Sequence, residues 1–154
     1  MILEFVREGV CTIVLLNKGK GIRMRMNNIL LVDDNENYLD LLSIFLESKG
    51  FDVTITANAA KALEILDKAR FRMIITDFHM QGINGIKLAM KVRRQYPDIH
   101  IVMITGDDSP DIVEAAVNAG VSHILFKPVN LTDLLAITRT SLSFELGVGD
   151  VCVI

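Results

Sequence analysis

Cysteine is scarce in this chain: Cys11 and Cys152 are the only two, and each stands in a terminal segment. Without C-x-x-C spacing they form neither a thiolate metal site nor a dithiol redox motif. A disulfide joining the two tails is the one crosslink open to them, and a reducing compartment disfavours it. Long apolar runs are also missing. The longest early one, residues 10–16, falls far short of the roughly 20 residues that cross a bilayer. No secretory leader is expected, since Glu4, Arg7 and Glu8 interrupt the start and no small-residue cleavage site follows. These absences predict a cytoplasmic protein with no membrane association. Basic charge is lacking where the bulk of the chain lies. Residues 1–26 hold five basic side chains (Arg7, Lys18, Lys20, Arg23, Arg25) and two acids (Glu4, Glu8), which leaves 11 basic and 17 acidic residues in the rest, a balance of −6. An acidic body argues against direct nucleic-acid binding.

Apolar material is plentiful. Hydrophobic residues make up 51% of the 154 and mean hydropathy is +0.39, ample for one domain with a packed core. Residues 1–26 read as an N-terminal extension, an accessory segment or a misassigned start ahead of Met24 and Met26. Within it residues 10–16 read as a strand, and residues 18–21 as a flexible basic break. From residue 27 a strand–helix rhythm sets in. Short apolar strands are predicted at residues 29–32, 53–57, 72–77, 99–104 and 124–126. After the first comes a helix carrying Tyr38, Leu41, Leu42, Phe45 and Leu46, closed by Gly50. The second helix has Ala59, Ala62, Leu63 and Leu66 on one face. The third spans residues 85–95, with Ile86, Ala89 and Val92 inward and Lys87, Lys91, Arg93 and Arg94 solvated. Pro110 suits the first turn of the fourth, where its missing N–H costs nothing; Ile112, Ala115, Ala116 and Ala119 form its face and Gly120 stops it. Leu131, Leu134, Leu135 and Thr138 define the fifth. Strands that are apolar throughout, without alternation, indicate a parallel sheet covered on both faces. The fold expected is α/β, a doubly wound five-stranded parallel sheet over residues 27–143, with residues 144–154 as a C-terminal tail. The apolar ends, residues 10–16 and 148–154, are expected to pack on their own domain, with an edge or another chain as alternatives.

In such a sheet the C-terminal strand ends share one edge, where ligands bind. Strand one delivers Asp33 and Asp34, strand three Asp77, strand four Thr105 and strand five Lys127. Taken singly, an Asp after a strand is a helix cap or turn residue, a Thr a cap, and a Lys a solvated strand end. Their joint arrival is what indicates chemistry. Three carboxylates together are costly unless neutralised, and Lys127 supplies a single positive charge. Oxygen-only ligands favour Mg²⁺, or Mn²⁺ in its place. Such a site suits an aspartyl phosphate, with Asp77 as nucleophile, Lys127 and Thr105 on the phosphoryl oxygens, and Gly106 leaving room for entry. Two other activities on this layout lack what they need. An FMN carrier of flavodoxin type requires a Ser/Thr/Gly phosphate cradle after strand one, where Asp33 and Asp34 stand. A dehalogenase-type phosphatase requires a second acid two residues after Asp77, where His79 stands.

Over residues 27–143 the chain resembles the receiver domains of bacterial two-component response regulators, including the stand-alone chemotaxis type. The resemblance rests on Ile29-Leu30-Leu31-Val32-Asp33-Asp34-Asn35-Glu36, on Ile74-Ile75-Thr76-Asp77-Phe78-His79-Met80 with Gly85 beyond, on Ile104-Thr105-Gly106, and on Lys127-Pro128. It implies a flavodoxin-like three-layer sandwich of strand order 2-1-3-4-5, and a phosphoryl group accepted from a histidine kinase or phosphotransfer protein. The domain would catalyse its own aspartyl phosphorylation and dephosphorylation and turn over no small-molecule product. By the same resemblance Asp77 is the phosphoacceptor. Asp33, Asp34, Asp77 and the backbone carbonyl of His79 serve the Mg²⁺, Asp33 through water, while Thr105 and Lys127 bind the phosphoryl oxygens. The Lys127–Pro128 bond is expected to be cis. His79 and Asp107 sit where the family tunes phosphoryl lifetime. The family's output face, helix four through helix five, maps to residues 112–118 and 131–142 and implies a downstream protein target; a homodimer is also compatible. Two positions depart from the pattern. The switch position three before the lysine, usually Tyr or Phe, is Ile124, beside His123, and the residue after Met80, commonly Pro, is Gln81. The first departure leaves open a receiver-like interaction module that works without phosphorylation.

Overall fold

In a computed structural model, which describes residues 2–7, 10–15 and 28–143, an antiparallel hairpin comes first. Its strands are β1 (Ile2–Arg7) and β2 (Val10–Leu15), paired from Ile2 opposite Leu15 to Arg7 opposite Val10. The strand expected at residues 10–16 is thus β2. Its partner was not anticipated, because Glu4 and Arg7 interrupt the apolar signal of β1. The break at residues 18–21, the tail at 144–154 and Cys152, on which any disulfide between the tails depends, lie outside the described residues.

Five strand–helix pairs follow. They are β3 (Asn28–Val32) and α1 (Glu36–Glu47), β4 (Asp52–Thr56) and α2 (Ala59–Lys68), β5 (Met73–Asp77) and α3 (Gly85–Gln95), β6 (His100–Thr105) and α4 (Pro110–Asn118), β7 (His123–Phe126) and α5 (Leu131–Ser143). All neighbouring strands of this sheet are parallel, in the order β4-β3-β5-β6-β7. Counted from the first strand of the sheet, that is 2-1-3-4-5, as the resemblance implied. No described helix is long and apolar enough to cross a membrane.

Asparagine starts four of the helices. Asn35, Asn58 and Asn84 accept at their side-chain oxygens from the backbone N–H groups of Tyr38, Ala60 and Lys61, and Lys87, at 2.7–3.2 Å; Asn130 does the same for Thr132 at 2.8 Å ahead of α5. Each satisfies donors that the first helical turn leaves without partners. α4 begins on Pro110 instead. Gly50 and Gly120 end α1 and α4 in left-handed backbone, at φ 88 and 85, which glycine adopts without a Cβ penalty.

Residues alternate along each central strand between two layers. Leu30, Val32, Ile74, Ile101 and Met103 join Ala62 and Leu66 of α2, Leu88 and Val92 of α3 and Ala116 of α4. Ile29, Leu31, Met73, Ile75, Val102 and Ile104 join Leu39, Leu42 and Leu46 of α1 and Leu134 and Leu142 of α5. At about 1.5–3 kcal/mol for each large side chain buried, these two cores hold the three central strands, and β5 is buried along its whole length. Cover on both faces holds only there. The edge strands β4 and β7 leave Ile55 and Phe126 exposed, because each lacks a neighbour on one side.

Two helical faces differ from their sequence reading. Leu41 is 53% exposed and Ile44 67%, whereas Leu39 and Leu42 are buried. The apolar residues of α1 wrap too far around the helix for periodicity to fix the inward stripe. Arg93 is only partly solvated. Its guanidinium donates to Gly120 O at 2.8 and 3.2 Å and to Pro97 O, so it caps the end of α4 from α3. The planar donor fork reaches carbonyls that a lysine would meet only singly.

Candidate functional site

The strand register brings the site together. Val32 lies beside Thr76, so the next residues, Asp33 and Asp77, emerge side by side at the carboxyl edge. Asp77 is paired with Ile104, and Thr105 with Phe126, which places Thr105 and Lys127 next along the same edge. The backbone ladder runs one step past the strands: Phe78 N donates to Ile104 O at 2.8 Å and Lys127 N to Thr105 O at 2.8 Å. The Lys127–Pro128 peptide is cis.

Carboxylate oxygens of Asp33, Asp34 and Asp77 lie within 4.8 Å of one another. Asp33 and Asp77 are buried, each 4% exposed, while Asp34 faces solvent. None of them caps α1, a role that falls to Asn35, whose N–H donates to Asp33 Oδ1 at 2.8 Å. The acids are therefore not accounted for by helix capping. Lys127 Nζ stands 2.7 Å from Asp77 Oδ1 and 3.8 Å from Asp33 Oδ2. The closer approach is an ion pair, and among the described residues no donor is aligned on the buried Asp77 Oδ1 by geometry.

Burial pushes the Asp33 carboxyl above the ordinary carboxylate range, aided by the charge on Asp77 and opposed by the Asn35 N–H and Lys127. Burial pulls the Lys127 ammonium down, but Asp77, Asp33 and Tyr38 more than offset it and hold Lys127 above its ordinary value. The pocket thus keeps a charged lysine and is still short of positive charge. Three oxygen-donor acids, one cation and a buried carboxylate oxygen with no aligned donor make a donor set that fits a hard divalent ion.

Thr105 is fully buried, and its Oγ1 accepts from Asp107 N at 3.0 Å while Asp107 Oδ1 accepts from Ser109 N at 2.9 Å. In this state the Thr105 hydroxyl is engaged by the loop leading into α4. The Ser109 donors hold the Asp107 carboxyl below its ordinary range. His79 is exposed, its ring 4.4 Å from that of Phe78 in an edge contact. Ile124 is half-buried against the core under α2, α3 and α4. A Cβ on Gly106 would meet nothing within 4 Å. A cavity of about 540 Å³, lined by residues 66–71 and 95–99, opens at the opposite edge of the sheet, where β5 and β6 begin, away from all of these groups.

Two residues at the site were not singled out from the sequence. Tyr38 lies with its ring 5.0 Å from Lys127 Nζ; its spacing had marked it only as core. Gly85 enters the sequence reading only as the start of the third helix and as a position of the resemblance, without a role at the site. Its N–H donates to Phe78 O at 3.0 Å, and a Cβ there would stand 2.4 Å from Asp77 O and 3.0 Å from Phe78 Cα. The start of α3 therefore presses directly on the backbone that carries Asp77. Gly85→Ala should cost about 2 kcal/mol, within the range for overpacking, and lower the melting temperature by about 5 °C. Gly106→Ala should leave it within about 1 °C. Equal melts for the two variants would show that the close approach relaxes freely.

The sequence model of the response regulator receiver domain matches residues 29–139. A response regulator receiver protein of Anaeromyxobacter is 35% identical over 110 residues, 71% of this chain and 46% of its own length. The transcriptional regulatory protein GlrR of Escherichia coli is 33% identical over 104 residues, 67% of this chain and 23% of its own length. The chain thus spans less than half the length of these curated relatives. Among solved structures, a CheY-like response regulator receiver domain protein of Methanospirillum hungatei superposes with TM-score 0.73 at 31% identity, covering 76% of this chain and 94% of its own. The chemotaxis response regulator CheY4 of Vibrio cholerae does so with TM-score 0.70 at 31% identity, covering 75% of this chain and 98% of its own.

Proposed function

This chain belongs to the receiver-domain family of two-component response regulators, and from that premise we propose that Asp77 accepts a phosphoryl group from a histidine kinase or phosphotransfer protein. The observation that carries the reading is Lys127 Nζ at 2.7 Å from Asp77 within a cluster of three carboxylates. An Asp77 carboxylate oxygen attacks phosphorus; the bond from phosphorus to the donor nitrogen breaks, and its electron pair stays on that nitrogen. Lys127 moves from Asp77 onto the phosphoryl oxygens, and Thr105 leaves Asp107 N to donate its hydroxyl there. Asp33, Asp34, Asp77 and the backbone carbonyl of His79 would hold Mg²⁺, or Mn²⁺, which supplies the positive charge that the phosphoryl oxygens require. Reversal of the switch is hydrolysis. Water attacks phosphorus, the bond to the Asp77 oxygen breaks, and phosphate leaves. His79 and Asp107, flanking the site, would set how readily that water arrives.

On this reading the receiver unit is residues 27–143, residues 1–26 are an accessory segment or a misassigned start, residues 144–154 are a C-terminal tail, and the protein is cytoplasmic. Output would pass through the face of α4, β7 and α5 to a protein target, with Ile124 at the switch position. Incubating the protein with Mg²⁺ and acetyl phosphate should add the mass of one phosphoryl group, mapped to Asp77, and omission of the metal should abolish the gain. No adduct, or one mapped elsewhere, overturns the reading.

A further inference from the structure

Lysine is a flexible point charge on a four-carbon stem, and at 37% side-chain exposure Lys127 has solvent available to it. Asp77 holds the ammonium on one side at 2.7 Å, while Asp33 stands off at 3.8 Å, which leaves a further neighbour to fix its place between the two carboxylates. The third neighbour is Tyr38, whose ring centroid lies 5.0 Å from Nζ. That distance is within the range in which a ring face attracts a cation.

Tyr38 is itself well anchored. It is the third residue of α1, and its N–H donates to the Asn35 cap, at 3.2 Å to the side chain and 3.1 Å to the carbonyl. Asn35 in turn donates to Asp33 at 2.8 Å. One short segment therefore carries an acid, a helix cap and an aromatic ring to the same pocket. The ring packs against the core beneath α1 and α5. Its hydroxyl is buried and makes no hydrogen bond among the described residues, so packing and the ammonium beside it fix the ring there.

We propose that Tyr38 is the positioning residue of Lys127, its ring face seating the ammonium against Asp77 and Asp33. The inference rests on the reading of Asp77 as phosphoacceptor, but its consequences are separable from it. Tyr38→Leu keeps apolar volume and removes the ring; Tyr38→Phe keeps the ring and removes the unpartnered hydroxyl. With Mg²⁺ and acetyl phosphate, Tyr38→Leu should be phosphorylated about 3- to 10-fold more slowly, and Tyr38→Phe within twofold of the original protein. In a Lys127→Ala background Tyr38→Leu should add no further loss, because the residue it acts through is gone. A loss of core packing would repeat in that background, so full additivity overturns the proposal, as does a Tyr38→Leu rate within twofold of the original. Should the original protein take no phosphoryl group, the functional reading falls, and the seating of Lys127 is read by acetic anhydride labelling followed by peptide mass analysis. Labelling of Lys127 should then be about threefold faster in Tyr38→Leu and unchanged in Tyr38→Phe; equal labelling of all three proteins overturns the seat.

Discussion

Asp77→Asn should take up no phosphoryl group under conditions that label the original protein fully, a loss of at least about 100-fold read by intact mass. The reason is specific to the atom replaced. An amide oxygen is a poor nucleophile, and the amide nitrogen would turn donors toward the Lys127 ammonium that now sits 2.7 Å from Asp77 Oδ1. The side chain is otherwise the same size, and β5 is buried along its length, so the fold should persist. Mg²⁺ tests the second half of the site independently. A ligand that binds only the folded protein stabilises it by an amount that grows with concentration over Kd. With one of three clustered carboxylates removed, the rise in melting temperature on adding Mg²⁺ should fall to less than half. An adduct that persists in Asp77→Asn would place the phosphoacceptor elsewhere, and an unchanged Mg²⁺ response would take Asp77 out of the ion's donor set.

How this site is reached from the sequence differs residue by residue. Asp33, Asp77, Thr105 and Lys127 were legible because each ends a short apolar strand, and a parallel sheet aligns such ends without regard to the intervening loops. The same argument could not find Gly85, whose role depends on a close approach between the start of α3 and the Asp77 peptide; no local pattern encodes a distance between two segments. Tyr38 fell into the helical stripe and was read as core, which is half correct, since its ring packs against the core while meeting Lys127. Arg93 was read as solvated because charged residues on an outer helical face usually are. Its guanidinium instead reaches the end of α4, a partner 27 residues away in the chain. The acids had a plausible reading as helix caps, and only the hydrogen bonds of Asn35 remove it. In each of these cases periodicity fixes where a side chain starts, and the partner that defines its role comes from another element.

Lys127→Ala should produce the other large effect. Removing one preorganised positive contact from a phosphoryl group costs about 100-fold in rate, or about 2.7 kcal/mol. The same change leaves Asp33, Asp34 and Asp77 clustered without the ammonium that faces them. Because the lysine is partly solvated, the cost to the unliganded fold is set at about 1–2 kcal/mol, below that of a fully buried pair. Its pH dependence has a definite sign. Lys127 is held above its ordinary value, so the stability it contributes is complete below the ordinary lysine range and is lost as pH rises through the raised folded value. The Asp33 carboxyl is raised as well. The folded protein therefore binds that proton more tightly than the unfolded chain, and stability from this group is gained as pH falls through its raised value. Removing Lys127 raises Asp33 further, since the lysine is one of the groups holding it down. Metal-free melts should thus show the deficit of Lys127→Ala at its fullest near neutral pH, shrinking as pH falls through the raised Asp33 value, and closing again in strong alkali where the original protein loses its ammonium. A deficit that does not change with pH would mean that Lys127 stabilises the fold through its packed stem and not through the charge it sets against the two buried acids.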